Sequence, residues 1–384
     1  MKQRFDVAVV GGGMVGAATA LGLAQQGKRV ALVEATEPKP FAADQPMDNR
    51  VSAISCASVR LLQQLGAWDA IEGMRLAPFR RLETWEQQGS RIRFSAESLG
   101  IDELGFIVEN RLIQLGLWQQ FSQYENLSCF CPSGIESITF HERDNELQLT
   151  TGEQLRAALV VGADGANSRV RKLAGIGLTS FDYNHHCMLV NVETEQPQQD
   201  ITWQWFTPSG PRSFLPLPGN QASLVWYDSP RTIQQLMRLP LAELQQQIVQ
   251  HFPEELGGIR VISRASFPLT RRHAKSYISD HCVVIGDAAH TINPLAGQGV
   301  NLGFKDVQAL LHVLSKDEPL AKALKTYQRK RMSDNRLMQA GMDLFYFGFS
   351  NDLLPLKLAR NAALKTADRL EPLKRKVLTY AIGL

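Results

Sequence analysis

Three short apolar runs punctuate this chain: Phe5-Asp6-Val7-Ala8-Val9-Val10, Leu159-Val160-Val161 and Val283-Val284-Ile285. Brief runs rich in Val and Ile, without alternation, predict strands buried on both faces of a parallel sheet. Behind the first run, Ala17, Ala20, Leu21 and Leu23 recur at helical spacing as far as Gly27, and Arg29 to Val33 predicts the next strand. From Thr36 to Asn49 the chain is rich in Pro, Asp and Ala and reads as a loop, followed by a helix from Ala57 to Leu65. Residues from Arg80 to Phe94 alternate around a Gln87-Gln88-Gly89-Ser90 turn and predict a hairpin. Val108 to Arg111 opens a helix through Ile113, Leu117 and Phe121, and a strand pair covers Ile135–Phe140 and Glu146–Thr150. Between Gly177 and Thr270 the texture changes. Short β-like runs carry Trp203, Trp205, Phe206, Phe214, Trp226 and Tyr227, broken by Pro and Gly, with one helix from Leu241 to Phe252. After Gly303 the pattern is helical. The fold expected is α/β: a Rossmann-like domain interleaved with a mostly antiparallel β-sheet domain, and a helical C-terminus. The Rossmann-like part comprises residues 1–75, 105–176 and 275–335. The sheet domain comprises 76–104 and 177–274, and the C-terminal segment 336–384.

A length of 384 residues is consistent with two domains. A formal charge of +3, with no basic stripe interleaved with aromatics, gives no argument for a nucleic-acid partner. The five cysteines, Cys56, Cys129, Cys131, Cys187 and Cys282, lack a C-x-x-C spacing, which argues against a disulfide framework or a structural zinc. Alternation would put Cys129 and Cys131 on one strand face as apolar filler. No apolar run is long enough for a signal core or a membrane span, so a reducing cytoplasm is expected.

Gly11-Gly12-Gly13-Met14-Val15-Gly16 satisfies G-x-G-x-x-G between a predicted strand and a predicted helix, with Glu34 about 20 residues on. In that context Gly11 allows the tight turn, Gly13 admits a pyrophosphate and Gly16 lets helix and strand pack closely. Glu34 suits ribose hydroxyls, which favours an unphosphorylated ADP-ribose or the ADP half of FAD. Arg50 enters the next segment either to face a phosphate or flavin edge or as a solvated charge. The second run ends in Asp164-Gly165, with Ser168 and Arg171 starting a helix. The third breaks at Gly286-Asp287, passes His290 and Pro294, and reaches Gly297, Gly299, Asn301 and Gly303. Glycines let backbone approach a ligand, a helix N-terminus offers free N–H groups, and one acid suits sugar hydroxyls. The aromatics of the sheet domain read either as a wall for an apolar ligand or as its core, and core is the better reading for most of them singly.

Residues 353–384 hold seven basic and two acidic side chains, and Leu370, Leu373, Val377, Tyr380, Ala381 and Leu384 recur at helical spacing. Just upstream, Met342 to Phe349 is strongly apolar. The region 342–384 therefore reads two ways: a basic amphipathic surface for an anionic membrane or a partner, or ordinary helices packed on their own protein.

GGGMVG, ADGANSRVR (Ala163–Arg171) and GDAAHTINPLAGQGVNLG (Gly286–Gly303), in this order, resemble the class A flavoprotein monooxygenases. The resemblance covers the whole chain. RRLETWE (Arg80–Glu86), SLVWYDSP (Ser223–Pro230), FPLTRRHA (Phe267–Ala274) and MDLFYFGFSN (Met342–Asn351) are similar to the ubiquinone-biosynthesis hydroxylase branch of that family. The resemblance implies FAD as cofactor, NAD(P)H as electron donor, O2 as co-substrate and a polyprenyl quinol as substrate, oxygenated through a flavin C4a-hydroperoxide at the last ring hydroxylation. It implies that the first glycine motif and Glu34 hold the ADP part of FAD. Asp287 would bind the ribityl side, and Pro294 to Gly299 would lie against the flavin. Asp164 and Arg171 are associated there with both FAD and NAD(P)H. The family often places Arg where this chain has Asn110, and Arg111 comes one position late. Because the cofactor carries the chemistry, no catalytic side chain is named. A ubiquinone-biosynthesis complex and the inner face of the membrane are the partners implied. A hydroxylase of a small soluble phenol, or an FAD-binding component without turnover, would share these motifs.

Overall fold

The computed structural model describes residues 3–141, 144–293 and 299–382. The first apolar run forms β1 (Gln3–Val10), in the middle of a sheet of eight strands. β2 (Val30–Val33) and β11 (Gln154–Gly162) lie parallel on either side of it, with β8 (Leu127–Phe130) beyond β2 and β18 (Cys282–Val284) beyond β11, again parallel. β17 (Ile278–Ser279) closes the β18 edge, and β10 (Asn145–Leu149) with β9 (Ile135–Phe140) makes an antiparallel flap on the lower half of β11. Buried Asn145 plugs the gap where β10 gives way to β18, donating to the Ala157 carbonyl at 3.1 Å and the His281 carbonyl at 3.3 Å.

The two faces of β1 explain why its run does not alternate. Val7 and Val9 pack with α1 (Met14–Gln25), α4 (Asn110–Gln119) and α8 (Gly299–Leu314), while Ala8 and Val10 pack with β9, β10 and α5 (Arg169–Leu173). A strand covered on both sides needs an apolar residue at every position.

The second sheet runs β19 (His290–Thr291), β16 (Ile259–Ala274), β12 (Leu178–Thr194), β15 (Gln221–Asp228), β14 (Arg212–Pro216), β13 (Ile201–Trp205), β5 (Arg81–Trp85), β6 (Ile92–Ser95). Its pairings are antiparallel except β13 with β5. Trp203, Phe214 and Trp226 form a core under α6 (Pro230–Leu236) and α7 (Leu241–His251), so these aromatics stabilise the sheet rather than line a ligand wall. Tyr227 belongs to the opposite face, with Cys187, Leu189, Val225, Phe267 and Leu269.

A small antiparallel sheet of β3 (Val51–Ser55), β7 (Gly105–Glu109) and β4 (Ala77–Phe79), with α2 (Cys56–Gln64) and α3 (Trp68–Glu72), bridges the two bodies. The chain ends in α9 (Leu320–Phe349), α10 (Leu354–Arg369) and α11 (Glu371–Ile382). Position 335/336 falls inside α9. One expectation is corrected: β8 stops at Phe130, Cys129 is exposed and Cys131 lies past the strand end, so this pair is not filler on a shared strand face.

Candidate functional site

β1, β11 and β18 end side by side, Val10 opposite Gly162 and Gly162 opposite Val284, so the three motifs leave the sheet at one edge. Gly11 takes φ +100°, and a Cβ there would lie 2.4 Å from the Ala163 carbonyl oxygen. A Cβ on Gly16 would lie 1.8 Å from the Gly11 carbonyl oxygen, so α1 rests directly on the turn. Gly13 differs: among the described residues a Cβ would meet nothing within 4 Å, which leaves space over the α1 N-terminus. No side chain caps that terminus and no acid sits in its first turn. Its N–H groups and dipole end therefore face a cradle suited to an anion.

The carboxylate of Glu34 accepts from the Gly12 N–H at 2.5 Å and from the Thr36 N–H at 3.0 Å. From the other side, Gln114 Nε2 and Trp118 Nε1 both donate to the Gly12 carbonyl at 2.8 Å. The Gly12 peptide is thus fixed by three side chains. Gln114 and Trp118 escaped the sequence reading. Their signal was a polar-capable pair four residues apart on a helix whose neighbours are apolar.

Beyond β18 the chain turns through Gly286-Asp287-Ala288 and joins the second sheet as β19, pairing with Arg272 and His273. The turn therefore sits where the two sheets meet. Asp287 is solvent-accessible, and among the described residues its carboxylate has no hydrogen-bond partner. The surrounding walls nonetheless desolvate it and raise its pKa, against the opposing pull of His290, Arg50 and Arg272. Arg50 is exposed, and its guanidinium lies 5.8 Å over the Phe267 ring on the open face of the second sheet. Buried Asn293, where the chain enters 294–298, has neither end of its amide hydrogen-bonded among the described residues. Pro294 and Gly297 lie outside the described residues. Gly299 begins α8, and among the described residues nothing lies within 4 Å of a Cβ there.

Other predicted residues are already committed within the protein. Asp164 accepts from Ser168 Oγ at 2.5 Å and from the Arg169 and Val170 N–H groups, capping α5. Arg171 is buried and donates to the Ala288 carbonyl at 2.7 Å and the Ala166 carbonyl at 3.1 Å, tying the second motif to the third. Asn301 accepts from the Ser55 N–H and Ser58 Oγ and donates to the Ala53 carbonyl, fastening α8 to β3 and α2. Asn110 accepts from Ser52 Oγ at 2.7 Å. Arg111 pairs with Asp48 at 2.9 Å and donates to the Lys39 and Pro40 carbonyls, holding the 39–48 loop.

Behind the Gly286-Asp287 turn lies a network the motifs did not disclose. Asp306, on the buried face of α8, accepts from the Gly286 N–H at 3.0 Å, His290 Nε2 at 2.6 Å, Arg331 Nε at 2.7 Å and Asn335 Nδ2 at 3.2 Å. Burial alone would raise its pKa, but the contacts with His290 and Arg331 overrule that and hold it well below the usual carboxylate range. The signal available was one acid set among apolar positions of an amphipathic helix.

The family profile described as "FAD binding domain" matches residues 4–339. Over their full lengths, this chain is 51% identical to the 3-demethoxyubiquinol 3-hydroxylase of Escherichia coli (strain K12). It is 33% identical to the ubiquinone hydroxylase UbiL of Rhodospirillum rubrum, covering 98% of this chain and 89% of that one. Among solved structures, the p-nitrophenol 4-monooxygenase PnpA from Pseudomonas putida DLL-E4 superposes with a TM-score of 0.80 at 19% identity, covering 100% of this chain and 99% of that one, which bears on the fold alone.

Proposed function

This chain belongs to the FAD-binding-domain family of flavoprotein monooxygenases, and from that premise we propose that it hydroxylates the ring of a polyprenyl quinol in ubiquinone biosynthesis, at the last ring hydroxylation. It is an FAD-dependent aromatic-ring monooxygenase. The observation that carries the substrate reading is the 51% identity over full length to a 3-demethoxyubiquinol 3-hydroxylase.

The residues present fit FAD. Gly13 leaves a cradle, α1 presents uncapped N–H groups to it, and Asp287 holds an unpartnered carboxylate at the meeting of the two sheets. On this reading Gly11, Gly13 and Gly16 seat the pyrophosphate, Glu34 turns from Gly12 to ribose hydroxyls, and Asp287 accepts from the ribityl side. Gly286, Gly299 and the motif residues Pro294 and Gly297 bring backbone close to the flavin. Arg50 faces the flavin edge. Asp164, Arg171, Asn110, Arg111 and Asn301 act by positioning the elements that carry these groups. When bound, FAD supplies the O2 activation, with NAD(P)H as electron donor. The protein's own part is to orient the ring against Phe267 and its neighbours and to keep water out. Residues 1–75, 105–176 and 275–335 then hold the cofactor, and 76–104 and 177–274 receive the quinol. Residues 342–384 remain to meet the bilayer or the other enzymes of the pathway.

The test is the quinone-lipid profile of cells lacking this gene, read by mass spectrometry. Accumulation of demethoxyubiquinone is expected, reversed by the wild type and not by Asp287→Ala. A normal ubiquinone profile would remove the quinol assignment and point to a soluble phenol instead.

A further inference from the structure

Large apolar side chains left in water are usually scattered singly; a cluster calls for an occupant. Among the described residues, seven of the thirteen exposed large hydrophobic side chains fall between positions 344 and 358, at the corner where α9 gives way to α10. Leu344 is 74% exposed, Leu354 66%, Leu353 61%, Leu358 60% and Phe347 52%. Further along α10, buried Asn361 and Leu364 pack against the protein, so the corner itself stands proud of the body.

This corner continues the open face of the second sheet. Phe267 and Leu269 share a cluster with Tyr183, Tyr227 and Tyr346. Tyr183 meets Tyr346 with ring centroids 4.8 Å apart, and Phe181 meets Tyr183 at 5.3 Å and exposed Phe347 at 6.1 Å. An apolar strip therefore runs from the ring beside Arg50 to the corner. Where it emerges, Asp343 accepts from Tyr183 and Arg271, and Arg271 lies over Phe181 at 5.4 Å. Tyrosine and arginine around an apolar face are the side chains that suit a membrane–water boundary.

We propose that the α9–α10 corner docks on an anionic phospholipid bilayer and sets the mouth of the apolar strip against the lipid. The proposal rests on the reading above, in which the substrate carries a polyprenyl tail. Charge selects this occupant: of the seven basic side chains in residues 353–384, Lys357, Arg360 and Lys374 pair with Asp352, Glu86 and Asp368, and Lys365, Arg369, Arg375 and Lys376 are exposed. Basic residues beside an apolar face attract acidic lipid surfaces. No helix among the described residues is long and apolar enough to cross a membrane, so the contact made by the corner is one of surface docking.

Flotation of the full-length holoprotein with phosphatidylcholine/phosphatidylglycerol vesicles tests it. The wild type should float with these vesicles and much less with pure phosphatidylcholine. The Leu344→Ser/Leu354→Ser/Leu358→Ser variant should lose about tenfold or more of the bound fraction, with its FAD content and its turnover of a tail-less quinol unchanged. Wild-type protein that stays in the aqueous layer, or a variant that floats as well as wild type, overturns the proposal. Equal flotation on pure phosphatidylcholine overturns its electrostatic part. Failure of the quinol reading would look different: a protein that floats as expected yet hydroxylates no quinol.

Discussion

Two regions of this protein meet at the Gly286-Asp287 turn, and they hold their shapes by different means. In the first sheet the constraints converge on the turns themselves, as glycine backbone pressed on carbonyls and buried polar side chains aimed at backbone groups. Gly11 and Gly16 press on neighbouring carbonyls, Asp164 caps a helix that starts five residues later, and Asp306 reaches back to Gly286 and His290. In the second sheet and the C-terminal helices the decisive contacts are between side chains, from one element to another. Glu86 at the end of β5 accepts from Arg360 Nε at 2.8 Å and also from Asn361, and Tyr183 finds Asp343. A turn pressed against a carbonyl demands glycine, whereas a side-chain pair between two elements demands only that its two members match.

The largest expected effect sharpens that contrast. Asp306→Ala leaves Arg331 buried without its main counter-charge and frees the Gly286 N–H, at a cost of about 3–5 kcal/mol by urea denaturation, together with loss of FAD. Glu86→Ala should cost about 2 kcal/mol and retain FAD, because Arg360 keeps its bonds to the Gly348 carbonyl and Asn351. A larger loss at Glu86 than at Asp306 would break the distinction between the two regions.

Within the first region, two glycines of one motif should part company. Gly16→Ala forces a methyl group into the Gly11 carbonyl and should cost about 3 kcal/mol by thermal or urea unfolding. Gly13 has φ −66° and open space, so Gly13→Ala should unfold like wild type. Its effect should appear in FAD affinity, reduced about tenfold in a fluorescence titration, or ~1.4 kcal/mol. Equal destabilisation by both substitutions would mean that the cradle over α1 is not where the anion sits.

The same division decides what could be read from the residues alone. The strands β1, β11 and β18 and the turns behind them were legible because a doubly buried strand must be apolar throughout and a turn against a carbonyl must be glycine. Order in the second sheet was not, since a sheet of β5, β6, β12 to β16 and β19 is assembled across an intervening domain and short aromatic runs do not say which face they occupy. Trp203 and Trp226 fell to the core face while Tyr227, next in sequence to Trp226, fell to the open one. At the site, residue types were legible but not their commitments. That Asp164 caps a helix, that Arg171 bridges two motifs and that Asp306 lies beneath Gly286 depend on which segments the fold brings together.

His273 offers the smallest and most pointed test, because it stands in the joint between the regions, on β16 against Gln339 of α9. Gln339 Nε2 donates to the Arg272 and Thr291 carbonyls, which leaves its Oε1 to accept from His273 Nδ1 at 2.8 Å. The other ring nitrogen, 3.5 Å from the Tyr277 hydroxyl, is then an acceptor, and the ring is neutral. Burial pushes its pKa down to about 4, outweighing the bond from Gln339, with His290, Arg336 and Arg271 adding to the fall. A free histidine titrates near 6.5. The unfolded chain therefore takes up this proton first as pH drops. The stability due to neutral His273 is complete above about pH 6.5 and lost progressively as pH falls toward about 4. Partial exposure keeps the effect on the order of 1 kcal/mol. His273→Gln should flatten the decline in Tm between pH 7 and pH 4.5 relative to wild type, with little change at pH 7. Parallel declines in the two proteins would mean that acid loosens the molecule elsewhere and that the joint does not respond to protons at this ring.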